Sequence, residues 1–166
     1  MERARLLIPN EPLMPGDIMS TKKILFATDF SVDSNSVAHY ANSLARDHDA
    51  ELFLIHVVEP PPPVGVAAPY GGASIDQNDI LLTTMLEEYA EPDVQHEPHL
   101  LVGDPATEIV RFAKDEKVDM IVIGTHGRSG LTRLLMGSVA EAVMRTALCP
   151  VLTVKRTDKV LAGEEA

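Results

Sequence analysis

A single cysteine, Cys149, is all the thiol the chain contains. No disulfide can form within it, which excludes a stapled secreted module and makes a reducing compartment, most simply the cytoplasm, the expectation. Tryptophan is absent and aromatic residues make up only 4% of the sequence, so platforms for stacking bases are scarce. Positive charge is also in deficit. A net charge of -11 repels the phosphate backbone of a polynucleotide, and nucleic-acid binding is excluded with it. No uncharged apolar run approaches the roughly 20 residues that cross a bilayer, so no membrane role is expected. The short stretch Leu6 to Ile8 is broken by Pro9, Pro12 and Pro15 before a signal-peptide core could form, and residues 1–20 read as an N-terminal extension. Two familiar phosphate-binding patterns are missing as well: neither G-x-x-x-x-G-K-[ST] nor a correctly spaced G-x-G-x-x-G occurs. Gly127 to Gly130 falls short of the hydrolase elbow G-x-S-x-G because Leu131 stands where the last glycine belongs, so Ser129 is a poor nucleophile.

What the chain does have is 45% apolar residues, enough for one domain with its own core. Residues 23–28, 51–58 and 118–123 are short Ile, Leu and Val runs bounded by polar residues, the pattern of strands buried on both faces. Between the first two, Val37, Ala38, Ala41, Leu44 and Ala45 recur at helical spacing within 31–50. A second helix is expected over 76–90, ended by Pro92. A strand over 94–102 carries Pro98 and so belongs at the rim of a sheet. Asp104 reads as the cap of a helix with Pro105 at its first position and Ala106, Ile109, Val110 and Ala113 as its buried stripe. A last helix over 138–147 and a strand over 150–154 complete an alternation that predicts an α/β fold, a mostly parallel sheet with helices on both faces. Ligands of such sheets bind beyond the carboxyl ends of the strands, where Asp29 and Gly124 both fall. Residues 157–166 form a polar tail, leaving 21–156 as the domain. The connection 59–74, with Pro60 to Pro63, Pro69, Gly71 and Gly72, is long for such a fold; a lid, a partner contact and a plain connector all fit it.

The chemistry concentrates between Gly124 and Ser138, where Gly124, Gly127, Gly130 and Gly137 lie between a buried strand and a helix. Glycines let backbone N–H groups close on an anion, and the helix start adds unpaired donors and a favourable dipole, so a phosphate is the natural guest. Between Gly124 and Arg156 five cations (Arg128, Arg133, Arg145, Lys155 and Arg156) face one acid, Glu141, which suits a small anionic ligand. Ser138 with Glu141 three residues on also has the spacing of a capping box. Asp29 reads as a binding residue or a helix cap, His126 as a phosphate contact or a solvent-facing loop residue, and His56 as a satisfied buried histidine. His96 and His99 point to opposite faces of a strand and cannot share a metal. Cys149 reads as a small buried thiol rather than a reactive one.

Gly124-x2-Gly127-x9-Gly137-Ser138 resembles the nucleotide-binding motif of the universal stress protein family. Ala-Thr-Asp-Phe-Ser at 27–31, Leu-Ile-His-Val-Val at 54–58, Gly-Asp-Pro-Ala at 103–106 and Pro-Val-Leu-Thr-Val at 150–154 fall where that family has its counterparts. The resemblance implies an open, five-stranded parallel sheet of the adenine nucleotide alpha hydrolase-like type, strand order 3-2-1-4-5, with ATP or AMP at its carboxyl edge. It also implies that Asp29 lies by adenine and ribose, that the Val57 backbone reads the adenine edge, and that Gly124 approaches the ribose. Gly127, Gly137, Ser138 and Val139 then cradle the phosphates together with Mg2+ or Mn2+, and Ala27, Thr28, Ile123, His126 and Arg128 complete the set. Ala27 replaces a proline of some members. The last strand, 150–154, is implied to pair with its copy in a homodimer. Nucleotide-dependent regulation with slow or no hydrolysis is the expectation; an ATP-hydrolysing enzyme and a nucleotide-independent interaction module are the alternatives.

Overall fold

The computed structural model of the chain describes residues 21–60, 77–125 and 136–155. Strands and helices alternate throughout: β1 (Lys23–Ala27), α1 (Ser34–His48), β2 (Glu51–Val58), α2 (Gln77–Glu87), β3 (His96–Val102), α3 (Pro105–Asp115), β4 (Met120–Gly124), α4 (Ser138–Thr146) and β5 (Val151–Val154). All strands pair in parallel in the order β3-β2-β1-β4-β5.

The apolar runs of the sequence are continuous because both faces of the sheet are covered. Ile24, Phe26, Leu52, Leu54 and Val122 turn to α1 and α2, whereas Leu25, Phe53, Ile55, Ile121 and Ile123 turn to α3 and α4. α1 lies close on its face through Ala38, Ala41 and Ala45, all buried. One polar side chain is placed among them. Asn42 donates to the carbonyls of Ala38 (2.8 Å) and Tyr89 (2.7 Å) and accepts from the Glu91 N–H (2.9 Å), tying the turn after α2 to α1.

Pro98 pairs opposite Leu54 in the edge strand β3, as its sequence context predicts. Odd-numbered residues of β3 bond to β2, with Gly103 N–H on the Val58 carbonyl and Gln95 C=O on the Leu52 N–H, so the missing N–H of Pro98 faces the open edge. The expected cap of α3 forms: Asp104 Oδ1 accepts from the Thr107 N–H (2.9 Å) and hydroxyl (2.6 Å), with Pro105 opening the helix. Gly103 before it has φ 149°, and a Cβ there would stand 2.9 Å from Glu108 Cγ, so this glycine is required twice over. The capping box at α4 does not form. Gly137 is the N-cap and has no side chain to close the helix start, and Ser138 is already helical; Glu141 pairs instead with Arg145 one turn on (3.3 Å).

Candidate functional site

In this strand order β1 is central, with α1 leaving over one face and α3 and α4 covering the other. The chain therefore diverges beyond the carboxyl ends of β1 and β4, where a doubly wound sheet opens a crevice. A cavity of about 480 Å³ occupies that position, bounded by the ends of β1, β2 and β4 and the starts of α1, α3 and α4. Its size is that of an ordinary small-ligand pocket.

On one wall β1 ends before its neighbour. Odd-numbered residues of β2 turn their peptide groups to β1, as the Glu51 N–H on the Lys22 carbonyl (2.8 Å) and the Ile55 carbonyl on the Thr28 N–H (2.9 Å) show. The pairing closes with Ala27 opposite Ile55. Val57, the next residue facing that way, presents its N–H and C=O to the space β1 has left, which is the cavity it lines. The Thr28 carbonyl, which a longer ladder would turn to the Val57 N–H, lies 2.8 Å from His56 Nδ1 instead. A carbonyl only accepts, so Nδ1 carries the hydrogen. The Thr28 hydroxyl donates to Ser34 Oγ (2.8 Å) and accepts from the Phe30 N–H (3.0 Å), while Asp29 Oδ1 accepts from the Ser31 N–H (3.0 Å).

The facing wall is built on backbone. Gly124 closes β4, and the next residue, Thr125, is buried and bonded on both sides of its peptide: its N–H donates to the Val154 carbonyl (2.9 Å) and its carbonyl accepts from the Gly137 N–H (2.7 Å). That pair of bonds fixes the start of α4 against the end of β4. The N–H groups of Ser138, Val139 and Ala140 open the helix and have no partner within it, and all three residues line the cavity. Together with the helix dipole they make this wall suited to an anion.

Of the residues singled out in the sequence, Ala27, Thr28, Asp29, Val57, Ile123, Gly124, Gly137, Ser138 and Val139 all line this one cavity. His126, Gly127 and Arg128 lie outside the described residues, as do Arg133 and most of the 59–74 connection. Thr125, Ser31 and Ser34 also line the cavity and were not singled out; only adjacency to Gly124 and Asp29 could have pointed to them. His56 is buried and hydrogen-bonded, as expected, and it too reaches the cavity. Among the described residues no group of three His, Cys, Asp or Glu side chains could hold a metal ion by itself. Cys149 sits apart in a small groove against α3, where burial pushes its thiol up from the ordinary value.

Comparison with known proteins follows this geometry. The profile of the universal stress protein family matches residues 20–155. Universal stress protein MJ0531 of Methanocaldococcus jannaschii is 41% identical over 143 residues, covering 83% of this chain and 84% of its own. The solved structure of MJ0577, a universal stress protein of the same organism, superposes with a TM-score of 0.62 at 26% identity, covering 84% of this chain and 99% of that one. A universal stress protein of Archaeoglobus fulgidus, solved in complex with dAMP, superposes with a TM-score of 0.54 at 26% identity over 82% of this chain and all 100% of its own.

Proposed function

The chain belongs to the universal stress protein family, and from that premise we propose that it is a regulatory protein that binds an adenine nucleotide, ATP in particular, in the cavity between β1 and β4. The observation that carries this reading is the pairing of two backbone surfaces across one pocket: the Val57 peptide on one wall and the N–H groups of Ser138 and Val139 on the other. Adenine offers a donor at its amino group and an acceptor beside it on the same edge, the complement of the Val57 C=O and N–H. Ala27, Val57 and Ile123 are almost wholly buried, and they supply apolar contact to the faces of the base. Asp29 takes ribose hydroxyls as donors, and Gly124 allows the sugar close to the backbone. Ser138 and Val139, with Gly127 and Gly137, receive the phosphates, and His126 and Arg128 add contacts from the same loop. The adenine nucleotide held by the Archaeoglobus fulgidus relative supports the choice of base.

A divalent cation, Mg2+ or Mn2+, fits as part of the ligand rather than as a resident ion. Mg2+ is commonly held by one or two carboxylates together with the substrate's phosphate oxygens, and Asp29 is a carboxylate at the cavity. The cation's charge would offset that of the phosphates in a chain that is acidic overall. Hydrolysis is slow or absent in this reading, because phosphoryl transfer also needs an oriented water or base beside a held metal. We further propose a homodimer along β5. β5 is a short edge strand without proline that carries exposed Leu152, and Met144 and Leu148 before it are exposed as well.

One experiment tests the whole proposal. Purified protein is denatured, the released small molecules are identified by mass spectrometry, and the stripped protein is titrated with ATP and Mg2+ while sedimentation follows its mass. The expected result is a dimer binding about one adenine nucleotide per chain, without multiple turnover. A stripped protein indifferent to ATP, AMP and dAMP would sink the nucleotide reading and favour an interaction module. Sustained phosphate release would replace the regulatory reading with an enzymatic one.

A further inference from the structure

We infer that Phe30 is a positioning residue: its strained backbone, locked by the packing of its ring, holds the Asp29 carboxylate in place at the nucleotide cavity. The inference rests on the nucleotide reading above. Three non-glycine residues of the described chain have positive φ: Phe30 (60°), Asp49 (51°) and Lys117 (56°). Asp49 and Lys117 stand just beyond the ends of α1 and α3, where a left-handed residue is a usual helix stop. Phe30 ends no helix. It is a bulky residue in a conformation that crowds its own Cβ, and strain of that kind persists only where the surroundings hold it and tends to collect at functional sites.

What holds it is a set of contacts at the end of the sheet, two of whose members, Thr28 and His56, line the cavity themselves. The ring packs on His56 with centroids 4.4 Å apart and stacks on Tyr89 at 6.1 Å, and Tyr89 in turn meets Phe26 edge-on at 5.5 Å. His56 is itself fixed by the bond from Nδ1 to the Thr28 carbonyl (2.8 Å), and the Phe30 N–H is fixed by the Thr28 hydroxyl (3.0 Å). The reversal at Phe30 brings the following N–H, that of Ser31, back onto Asp29 Oδ1 at 3.0 Å. Asp29 lines the cavity, yet Phe30 does not. Its influence on a ligand must therefore pass through its neighbours, and Asp29 is the charged one.

The test is a double-mutant cycle read by ATP titration in the presence of Mg2+. Phe30→Gly permits the left-handed turn but removes the ring that enforces it. Asp29→Ala and Phe30→Gly are each expected to weaken binding about tenfold, the size of one lost charged hydrogen bond. The double variant should bind no more weakly than Asp29→Ala alone, and Phe30→Tyr, which keeps the ring, should bind like the unaltered protein. Losses that multiply in the double variant would overturn the inference, as would unaltered affinity in Phe30→Gly. If Phe30→Gly does not fold, Tyr89→Leu loosens the same wedge. Its expected loss, about twofold, should vanish in the Asp29→Ala background; persistence there would overturn the inference too. Failure of the unaltered protein to bind any adenine nucleotide would instead remove the functional reading, and this inference with it.

Discussion

The two ends of the sheet solve opposite problems. At the amino end every central strand is tied to its neighbour: Asp119 Oδ2 accepts from the N–H groups of Lys22 (2.8 Å) and Lys23 (3.0 Å), the Lys22 carbonyl accepts from Glu51, and the Lys23 carbonyl accepts from Asp119. The Lys23 ammonium lies over the Phe53 ring (5.3 Å to its centroid) and donates to the Glu116 carbonyl (3.1 Å). At the carboxyl end β1 stops at Ala27 while β2 continues to Val58, and peptide groups that a closed end would pair face a cavity. One end uses a carboxylate to finish the ladder. The other leaves the donors of a helix start facing the cavity. Stability and binding are thus expected to be separable along the same three strands.

The sharpest way to break that separation is at Gly137. Its φ of -73° and ψ of 154° are dihedrals any residue adopts, so valine there is compatible with the backbone and its effect falls on the approach of a phosphate. Gly137→Val is expected to weaken ATP binding by about a hundredfold, the equivalent of two charged hydrogen bonds, with only the smaller fall in melting temperature that a poorer N-cap brings. Equal losses of both would mean that the glycine serves the fold and not the ligand. Asp119→Ala is the converse probe. Losing an acceptor for two N–H groups should lower the unfolding free energy by about 1–2 kcal/mol in a denaturant titration. Nucleotide affinity should stay unchanged, because Asp119 does not line the cavity. A coupled fall in affinity would show that the two ends form one unit.

The closed parts of the molecule were the legible ones. β2 spans the expected 51–58, Pro98 sits in an edge strand, and Asp104 with Pro105 opens α3, because burial on both faces, a missing N–H and a capping oxygen each leave a local mark in sequence. The strand order followed from the family resemblance rather than from periodicity. The open end was harder to read. The first helix begins at Ser34 and not near Ser31, because Asp29 to Asp33 form the turn that leaves β1, and that turn depends on His56 and Tyr89 from distant parts of the chain. Ser138 and Glu141 have the spacing of a capping box, but Gly137 takes the cap position, so a correct local pattern was overruled by the bond from Gly137 to Thr125. Thr125 carries no motif at all. Its role comes from two backbone bonds, to which side-chain patterns are blind.

The smallest expected effect bears on where the carboxyl end stops being ligand site and becomes ordinary structure. Asp104 caps α3 beside the cavity without lining it. The Thr107 hydroxyl, and after it the Thr107 N–H, hold its carboxyl below the ordinary value of 3.8. The folded state therefore favours the ionised form. That contribution is fully present above the unfolded value and is lost as pH falls through the lower folded value. Asparagine caps a helix nearly as well but does not titrate. The unaltered protein should melt slightly above Asp104→Asn near neutral pH, and the gap should close as pH falls below about 4. Other carboxylates titrate in both proteins and cancel in the difference. Nucleotide affinity should not distinguish the two at neutral pH, since the side chain serves only the helix start; a difference there would extend the binding site past Pro105 to the end of β3.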